Sequence, residues 1–331
     1  MMDLRSLFAG KRVLVAGGLG FIGSNLARRL VELGADVLIV DAIIPAYGGN
    51  PFNIAGIENR VRVNIADVRN ESVINHLVQG QDFLFNLVGQ VSHIDSMQDP
   101  YTDLETNCRA QIALLEACRR YNPQVKIVYT GTRQVYGRPR YLPVDEEHPV
   151  EPVDINGVHK MAAEWYHRIY HQAHGLRTVT LRLTNTYGPR MRVKDSRQGF
   201  IGWWIHQVVR GREIEIFGTG QQIRDFNYVD DVVEALLLAA AHPDTDGRVY
   251  NLGGDEPISL AELARLLVDV NGGGNYRLVP FPTDRQRIDI GDYYGDDSRI
   301  RAQLGWRPKV SLREGLARTL AFYREFGDHY W

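Results

Sequence analysis

Three glycines at intervals of three residues, Gly17, Gly20 and Gly23, have a spacing that suits phosphate chemistry. The first glycine permits a tight turn, the second lets backbone N–H groups approach a pyrophosphate, and the third lets a helix pack closely against a strand. Phe21 and Ile22 belong to the same turn. A phosphate held there would lie at a helix N-terminus, where unpaired N–H groups and the helix dipole favour anions. The spacing therefore predicts a dinucleotide site.

The sequence predicts a strand before this turn and a helix after it. Residues 13–15 are β-favouring and precede the glycines, and residues 25–33 form an amphipathic run after them. Residues 35–41 predict a second strand that ends in Asp41. A carboxylate at this place suits the two hydroxyls of an adenosine ribose and repels a 2′-phosphate. Because no arginine follows directly, the predicted cofactor is NAD rather than NADP.

Composition excludes several classes of protein. The chain has 331 residues, 44% of them hydrophobic, and a formal net charge of −2, so it offers no basic surface for nucleic acid. Cys108 and Cys118 lie ten residues apart in one predicted helix, too far to bridge, and free thiols suit a reducing compartment. No apolar run is long enough to cross a membrane. We expect a soluble, cytoplasmic protein without a metal site.

Strands alternate with helices through the first half of the chain, which indicates parallel βαβ units. The predicted fold class is α/β, a Rossmann-type doubly wound parallel sheet with a smaller mixed α/β C-terminal domain that binds substrate. From residue 185 the pattern becomes less regular. The predicted NAD-binding domain covers residues 1–184, with returns near 225–255 and 289–300. The predicted substrate domain covers 185–224, 256–288 and 301–331.

Seven segments carry a resemblance to a known family: Gly17–Ser24, Leu87–Ser92 with Ser96–Pro100, Val135–Gly137, Arg182–Arg190, Arg224–Asp231, Tyr250–Gly253 and Leu304–Pro308. With these segments the chain resembles the extended short-chain dehydrogenase/reductase family, the NAD-dependent nucleotide-sugar epimerases and dehydratases. The resemblance runs nearly from end to end. It implies the predicted fold, NAD as cofactor and a nucleotide sugar as substrate.

The resemblance also implies binding roles for individual residues. On the cofactor side, Asp67 and Val68 would meet the adenine, and Leu87, Val88 and Gly89 would pass the inner ribose and pyrophosphate. On the substrate side, the implied contacts are Ser92, His93, Asn185, Arg224 and Arg287. Arg224 would hold the diphosphate with its planar guanidinium. Gln286 occupies the place of a further family arginine, and the flanking Arg285 is the alternative to Arg287.

The family's chemistry uses three groups, and one of them is missing here. Thr132 matches the residue that hydrogen-bonds the sugar hydroxyl, and Lys160 matches the lysine that holds the nicotinamide ribose. The tyrosine that takes the hydroxyl proton is expected four residues before this lysine, but Asn156 stands there. An amide does not titrate near neutral pH, so Asn156 could only orient a hydroxyl or a water.

Three interpretations of this replacement stay open. In the first, another group is the base, and the candidates are His159, His93, Asp95, Tyr136 and Lys160 itself. In the second, Thr132, Lys160 and a water sustain slower hydride transfer. In the third, the protein binds NAD and a nucleotide sugar without turnover.

The residues after Thr132 bear on the reaction. Dehydratases of the family carry an Asp-Glu pair there, and the decarboxylases tend to keep a glutamate, whereas this chain has Arg133 and Gln134. The predicted reaction is therefore epimerisation by transient oxidation to a keto-sugar and hydride return, at C4 of an NDP-hexose or a uronic acid. A dehydratase or decarboxylase is the alternative. The resemblance further implies a homodimer formed through helices 102–120 and 157–174.

Overall fold

The computed structural model describes residues 3–197 and 199–331 and contains thirteen strands in this part of the chain. The strands are β1 (Arg12–Ala16), β2 (Asp36–Asp41), β3 (Val61–Ile65), β4 (Phe83–Asn86), β5 (Lys126–Thr132), β6 (Arg177–Leu183), β7 (Asn185–Tyr187), β8 (Ile214–Phe217), β9 (Ile223–Arg224), β10 (Phe226–Tyr228), β11 (Val249–Leu252), β12 (Ile258–Ser259) and β13 (Tyr276–Val279).

Helices alternate with strands in the first part of the chain, and the order becomes less regular after β6. The helices of the described residues are α1 (Leu4–Phe8), α2 (Phe21–Glu32), α3 (Glu71–Leu77), α4 (His93–Gln98), α5 (Pro100–Leu104), α6 (Ala110–Tyr121), α7 (Ile155–His174), α8 (Phe200–Val209), α9 (Val229–Ala241), α10 (Leu260–Asn271), α11 (Thr283–Arg287), α12 (Ser298–Leu304) and α13 (Leu312–Phe326). A π-helical turn, Glu105–Arg109, joins α5 to α6. None of the helices in residues 3–197 and 199–331 has the length and apolarity needed to cross a membrane.

Seven strands form one parallel sheet in the order β3-β2-β1-β4-β5-β6-β11. Strands β1, β4 and β5 are almost wholly buried because helices cover both faces of the sheet. The predicted Rossmann-type doubly wound sheet is confirmed. The strand order reverses between β1 and β4, and ligands of such sheets bind at the carboxyl ends of the strands beside this reversal.

A second hydrophobic cluster lies apart from the sheet and is built from later segments of the chain. Its members include Trp204 on α8, Leu263 on α10 and Leu316 on α13, together with the aromatic residues Tyr187 and Tyr228. Strand β8 pairs with β13 in a small parallel sheet beside this cluster. The cluster and the large sheet form the two sides of the cleft described below.

Helix α4 is one of several helices that the sequence did not predict. Helix α4 lies between β4 and α5. The Ser92 hydroxyl caps it by accepting a hydrogen bond from the Asp95 N–H at 3.2 Å. The helix is one and a half turns long, so it has no apolar periodicity by which to recognise it. It forms one wall of the cleft.

Candidate active site

The glycine turn has the shape of a pyrophosphate cradle. Gly17 has a φ of +82°, a conformation that side chains rarely adopt. A Cβ at Gly23 would lie 2.2 Å from the carbonyl oxygen of Gly17, so only glycine lets α2 begin this close to β1. Gly20 is the N-cap residue of α2 and has no side chain to cover the free N–H groups. The turn therefore fits a dinucleotide phosphate at the helix N-terminus.

Asp41 lies at the end of β2 and faces the same pocket. Its two carboxylate oxygens accept backbone N–H groups, one from Leu19 at 3.0 Å and one from Ile43 at 2.8 Å. Burial raises the pKa of Asp41, while these two N–H groups act in the opposite direction. Since each oxygen keeps a further lone pair, the carboxylate can also accept the two ribose hydroxyls of NAD.

The pocket beyond Asp41 is the place for the adenosine end of the cofactor. Asp67, Val68, Leu87, Val88 and Gly89 all line it, as the resemblance implies. Sequence reasoning missed Arg69, which also lines the pocket and holds the Asp67 carboxylate with two nitrogens, Nη2 lying 2.6 Å from Oδ2. This hydrogen bonding lowers the pKa of Asp67. An adenine contact by Asp67 would therefore share the carboxylate with Arg69.

A second cleft of about 820 Å³ continues from the glycine turn towards the second cluster. Its lining includes most of the remaining predicted site residues: Phe21, Ile22, Gly23, Ser92, His93, Thr132, Asn156, Lys160, Asn185 and Arg224. In the segment expected to supply a further arginine, Arg285 lines the cleft, whereas the predicted Arg287 does not. Helix α11 has only five residues, so no periodicity distinguishes Arg285 from Arg287 in the sequence.

Asn156 is 2% exposed, and its amide is used to hold the structure together. Its Nδ2 donates to the Gln90 carbonyl oxygen at 2.9 Å and to Asp103 Oδ2 at 3.0 Å. Both partners are acceptors, so the amide orientation is unambiguous. Its backbone N–H donates to the Ser96 hydroxyl at 3.1 Å. The amide does not titrate near neutral pH, so Asn156 cannot replace the family's tyrosine as a base.

Lys160 lies one helical turn after Asn156 and is 4% exposed. Burial lowers the pKa of Lys160 to about 8, with Asp103 acting in the opposite direction. Its ammonium lies close to the cofactor loop, since a Cβ at Gly89 would be 2.4 Å from Nζ. This position beside the dinucleotide pocket is suited to the nicotinamide ribose.

Two candidate bases lie away from the cleft. Tyr136 is fully buried, donates to Asn251 Oδ1 at 2.6 Å and accepts from Arg182 Nη1 at the same distance. Burial raises the pKa of Tyr136 to about 12. His159 contacts the buried Asp103 through Nδ1 at 2.7 Å. Neither residue is among the described residues that line the cleft, so neither is placed to take a substrate proton.

The other two candidates from the first interpretation, His93 and Asp95, do line the cleft. Asp95 lies 3.8 Å from the guanidinium of Arg197. The Nδ1 atom of His93 lies 2.9 Å from Oδ2 of Asp154, whose side chain is fully buried. Sequence reasoning missed Asp154. Its position as the N-cap residue of α7 could have been recognised, but its contact with a residue on another helix could not.

The far end of the cleft is cationic. Arg224 is buried, its Nη1 donates to the Ile223 carbonyl oxygen at 2.8 Å, and its Nη2 lies 3.4 Å from Asp289. Burial, followed by the nearby Arg133, lowers the pKa of Arg224 to about 10. Arg133 Nη2 is 3.5 Å from Asn185 Oδ1, and its buried Nη1 has no hydrogen-bond partner among the described residues. This arrangement fits an anionic ligand.

Fold and site together define a Rossmann-type protein with a dinucleotide pocket and a cleft that ends in buried arginines. The sequence profile of the NAD dependent epimerase/dehydratase family matches residues 13–253. The chain belongs to this family, which confirms the resemblance to extended short-chain dehydrogenases/reductases, and its cofactor is NAD.

Proteins similar to this chain include both epimerases and dehydratases. A putative UDP-glucose 4-epimerase of Methanocaldococcus jannaschii is 31% identical over 93% of this chain and 97% of its own length. The structure of UDP-glucose 4-epimerase from Thermotoga maritima with UDP-glucose has a TM-score of 0.86 and 30% identity, covering 95% of this chain and 99% of that one. The structure of dTDP-glucose 4,6-dehydratase from Streptomyces venezuelae with NAD has a TM-score of 0.88 and 27% identity, covering 96% and 98%.

Proposed function

We propose that the protein is an NAD-dependent nucleotide-sugar epimerase that oxidises C4 of an NDP-hexose or a uronic acid transiently to a ketone. The residues after Thr132 carry this choice. Arg133 and Gln134 provide no carboxylate beside the sugar, whereas the family's dehydratases need an acid and a base there to eliminate water. A cleft that joins the cofactor turn to Arg224 supports the nucleotide-sugar substrate.

The proposal assigns a separate role to each residue of the site. NAD, when bound, supplies a reversible acceptor for the hydride of the sugar carbon. Thr132 Oγ1 accepts the Gln134 N–H at 3.2 Å, which leaves its hydroxyl proton free to bond the sugar oxygen. Lys160 holds the nicotinamide ribose, and Arg224 and Asn185 hold the diphosphate. Arg285, in place of Arg287, contributes to the same cationic end of the cleft.

We also propose that the protein is a cytoplasmic homodimer. Helix α7 and the helical segment α5–α6 each leave large apolar side chains exposed. On α7, Trp165 is 44% and Ile169 48% exposed, and on α5 Tyr101 is 79% exposed. Two copies of these helices could pack as a four-helix bundle. The two-domain division predicted from the sequence belongs to the same proposal.

A substrate panel tests the proposed reaction. The protein is incubated with UDP-, GDP-, CDP- and dTDP-linked sugars, both neutral and acidic, and the products are identified by NMR. The proposal predicts a C4 epimer of one substrate without net consumption of NAD. A 4-keto-6-deoxy product would instead identify a dehydratase, and loss of the carboxylate of a uronic acid would identify a decarboxylase. Thermal stabilisation by a sugar without turnover would identify a binding protein.

A further inference from the structure

His93 has the geometry of a proton acceptor for a ligand in the cleft. Its side chain is 38% exposed and lines the cleft, while Asp154, which lies 2.9 Å from its Nδ1, is fully buried. The pair is close, but its angles are outside hydrogen-bond geometry. We assign the ring proton to Nδ1 because the carboxylate would repel a bare nitrogen lone pair at this distance. In the neutral ring Nε2 then has the free lone pair. No described residue bonds to Nε2.

Asp154 is held in place by two further donors. The Gly157 N–H donates to Oδ1 at 2.6 Å, which is the N-cap bond of α7, and Gln134 Nε2 donates to Oδ2 at 2.9 Å. His93, Gln134 and Gly157 together outweigh the effect of burial, which alone would raise the pKa of Asp154, and the net pKa is lowered. A carboxylate that stays ionised can stabilise the imidazolium formed when His93 accepts a proton.

The contacts around Asp154 also place His93 near Gln134. Gln134 and His93 contact the same oxygen of Asp154, each at 2.9 Å, so their nitrogens lie within about 6 Å of each other, the sum of two hydrogen-bond lengths. Gln134 comes two residues after Thr132. The imidazole therefore lies beside the position at which this family's dehydratases carry a carboxylate.

Helix α4 is fixed against the start of α7 by a second contact. The Ser96 hydroxyl donates to the His93 carbonyl oxygen at 2.7 Å and accepts the Asn156 N–H at 3.1 Å. His93 is thereby attached to the helix that carries both Asn156 and Lys160. This contact is made by the backbone N–H of residue 156, so it does not depend on the side chain at that position.

We propose that His93, oriented by Asp154, is the catalytic group that takes the proton of the sugar hydroxyl in place of the missing tyrosine. This inference rests on the proposed function. The O–H and C–H bonds of the sugar carbon break and a C=O bond forms. The proton goes to Nε2 of His93, and the electron pair of the C–H bond leaves as hydride for NAD. Return of the hydride to the opposite face of the keto carbon, with return of the proton from Nε2 to its oxygen, gives the epimer and restores neutral His93.

Three variants test this role: His93→Gln, Asp154→Asn and the matched control His159→Gln. His159 also contacts a buried aspartate through Nδ1, but it lies outside the cleft lining. His93→Gln is expected to lower kcat at least about 100-fold with little change in KM, because general-base catalysis contributes about 10²- to 10⁴-fold. The control is expected to stay within about threefold of the wild type. Asparagine is a good N-cap residue, so Asp154→Asn should fold.

A spectroscopic readout tests the orientation of His93 without turnover. Nitrogen-15 NMR of the NAD-bound wild type is expected to show His93 with its proton on Nδ1 and a bare Nε2. Asp154→Asn should move the Nδ1 proton signal upfield, and His159→Gln should leave it in place. A proton on Nε2 in the neutral ring would overturn the inference, as would an active wild type whose His93→Gln variant is equally active. A wild type that converts no sugar would instead refute the proposed function.

Discussion

Replacing Lys160 with methionine is expected to stabilise the folded protein at neutral pH although it removes a residue of the site. Burial lowers the pKa of Lys160 from its ordinary 10.5 to about 8. A pKa difference of this size means that the charged ammonium lowers the free energy of unfolding by about 3 kcal/mol at neutral pH. Methionine has a similar length and no charge, so the variant avoids this cost.

The pH dependence distinguishes this charge effect from a change in packing. Between the folded pKa near 8 and the unfolded value of 10.5, the unfolded chain binds the proton more tightly, so wild-type stability rises with pH. From about pH 7.5 to about pH 9.5 the contribution of Lys160 to the free energy of unfolding should increase by about 2 kcal/mol. Lys160→Met lacks this increase. The difference in the free energy of unfolding between the variant and the wild type should therefore shrink by about 2 kcal/mol over this pH range.

Urea unfolding followed by tryptophan fluorescence measures both effects. The difference in unfolding free energy between wild type and Lys160→Met is determined at the two pH values. Lys11→Met is the control, because the Lys11 side chain is 47% exposed and pairs only loosely with Asp82 at 3.6 Å. A difference that does not change with pH would refute the assignment of Lys160 as a buried, destabilised cation.

Three further variants address other parts of the site. Asp41→Asn should weaken NAD binding at least about tenfold in calorimetry, because hydrogen bonds to a charged group contribute about 1.5–3 kcal/mol. Equal weakening of NADP binding would contradict a contact between Asp41 and the ribose hydroxyls. Arg133→Gln should weaken binding of nucleotide sugars about tenfold, because it removes a charge from the cationic end of the cleft, and an unchanged affinity would argue against its contact with the anionic ligand. Asn156→Ala should lower the free energy of unfolding by about 2 kcal/mol, because the Gln90 carbonyl and Asp103 lose a buried donor, and an unchanged urea midpoint would exclude this role.

The cofactor side of the site could be predicted because its signals are local in sequence. Gly17, Gly20 and Gly23 fall within one strand–turn–helix unit, and Asp41 ends the next strand of that unit. Their arrangement follows from backbone geometry and needs no distant contact. The same locality made Asn156 recognisable, since it stands one helical turn before Lys160.

The proton-transfer side could not be predicted in the same way. His93 is in α4 and Asp154 caps α7, and they meet where α4 packs against the start of α7. Asp103, which lies in α5, meets Asn156 and His159 of α7 by a similar long-range contact. Such pairs depend on how helices pack, and neither periodicity nor spacing records this. The family resemblance does not supply them either, because it describes a site with a tyrosine.

The most direct test of the central claim follows the hydrogen on the oxidised carbon. The substrate found in the panel is prepared with deuterium at C4 and converted in ordinary water. Oxidation and return of hydride within one bound cofactor predict that the product keeps the deuterium at C4. Loss of the deuterium to solvent would contradict the account, because it would mean that the carbon is inverted by deprotonation rather than by hydride transfer.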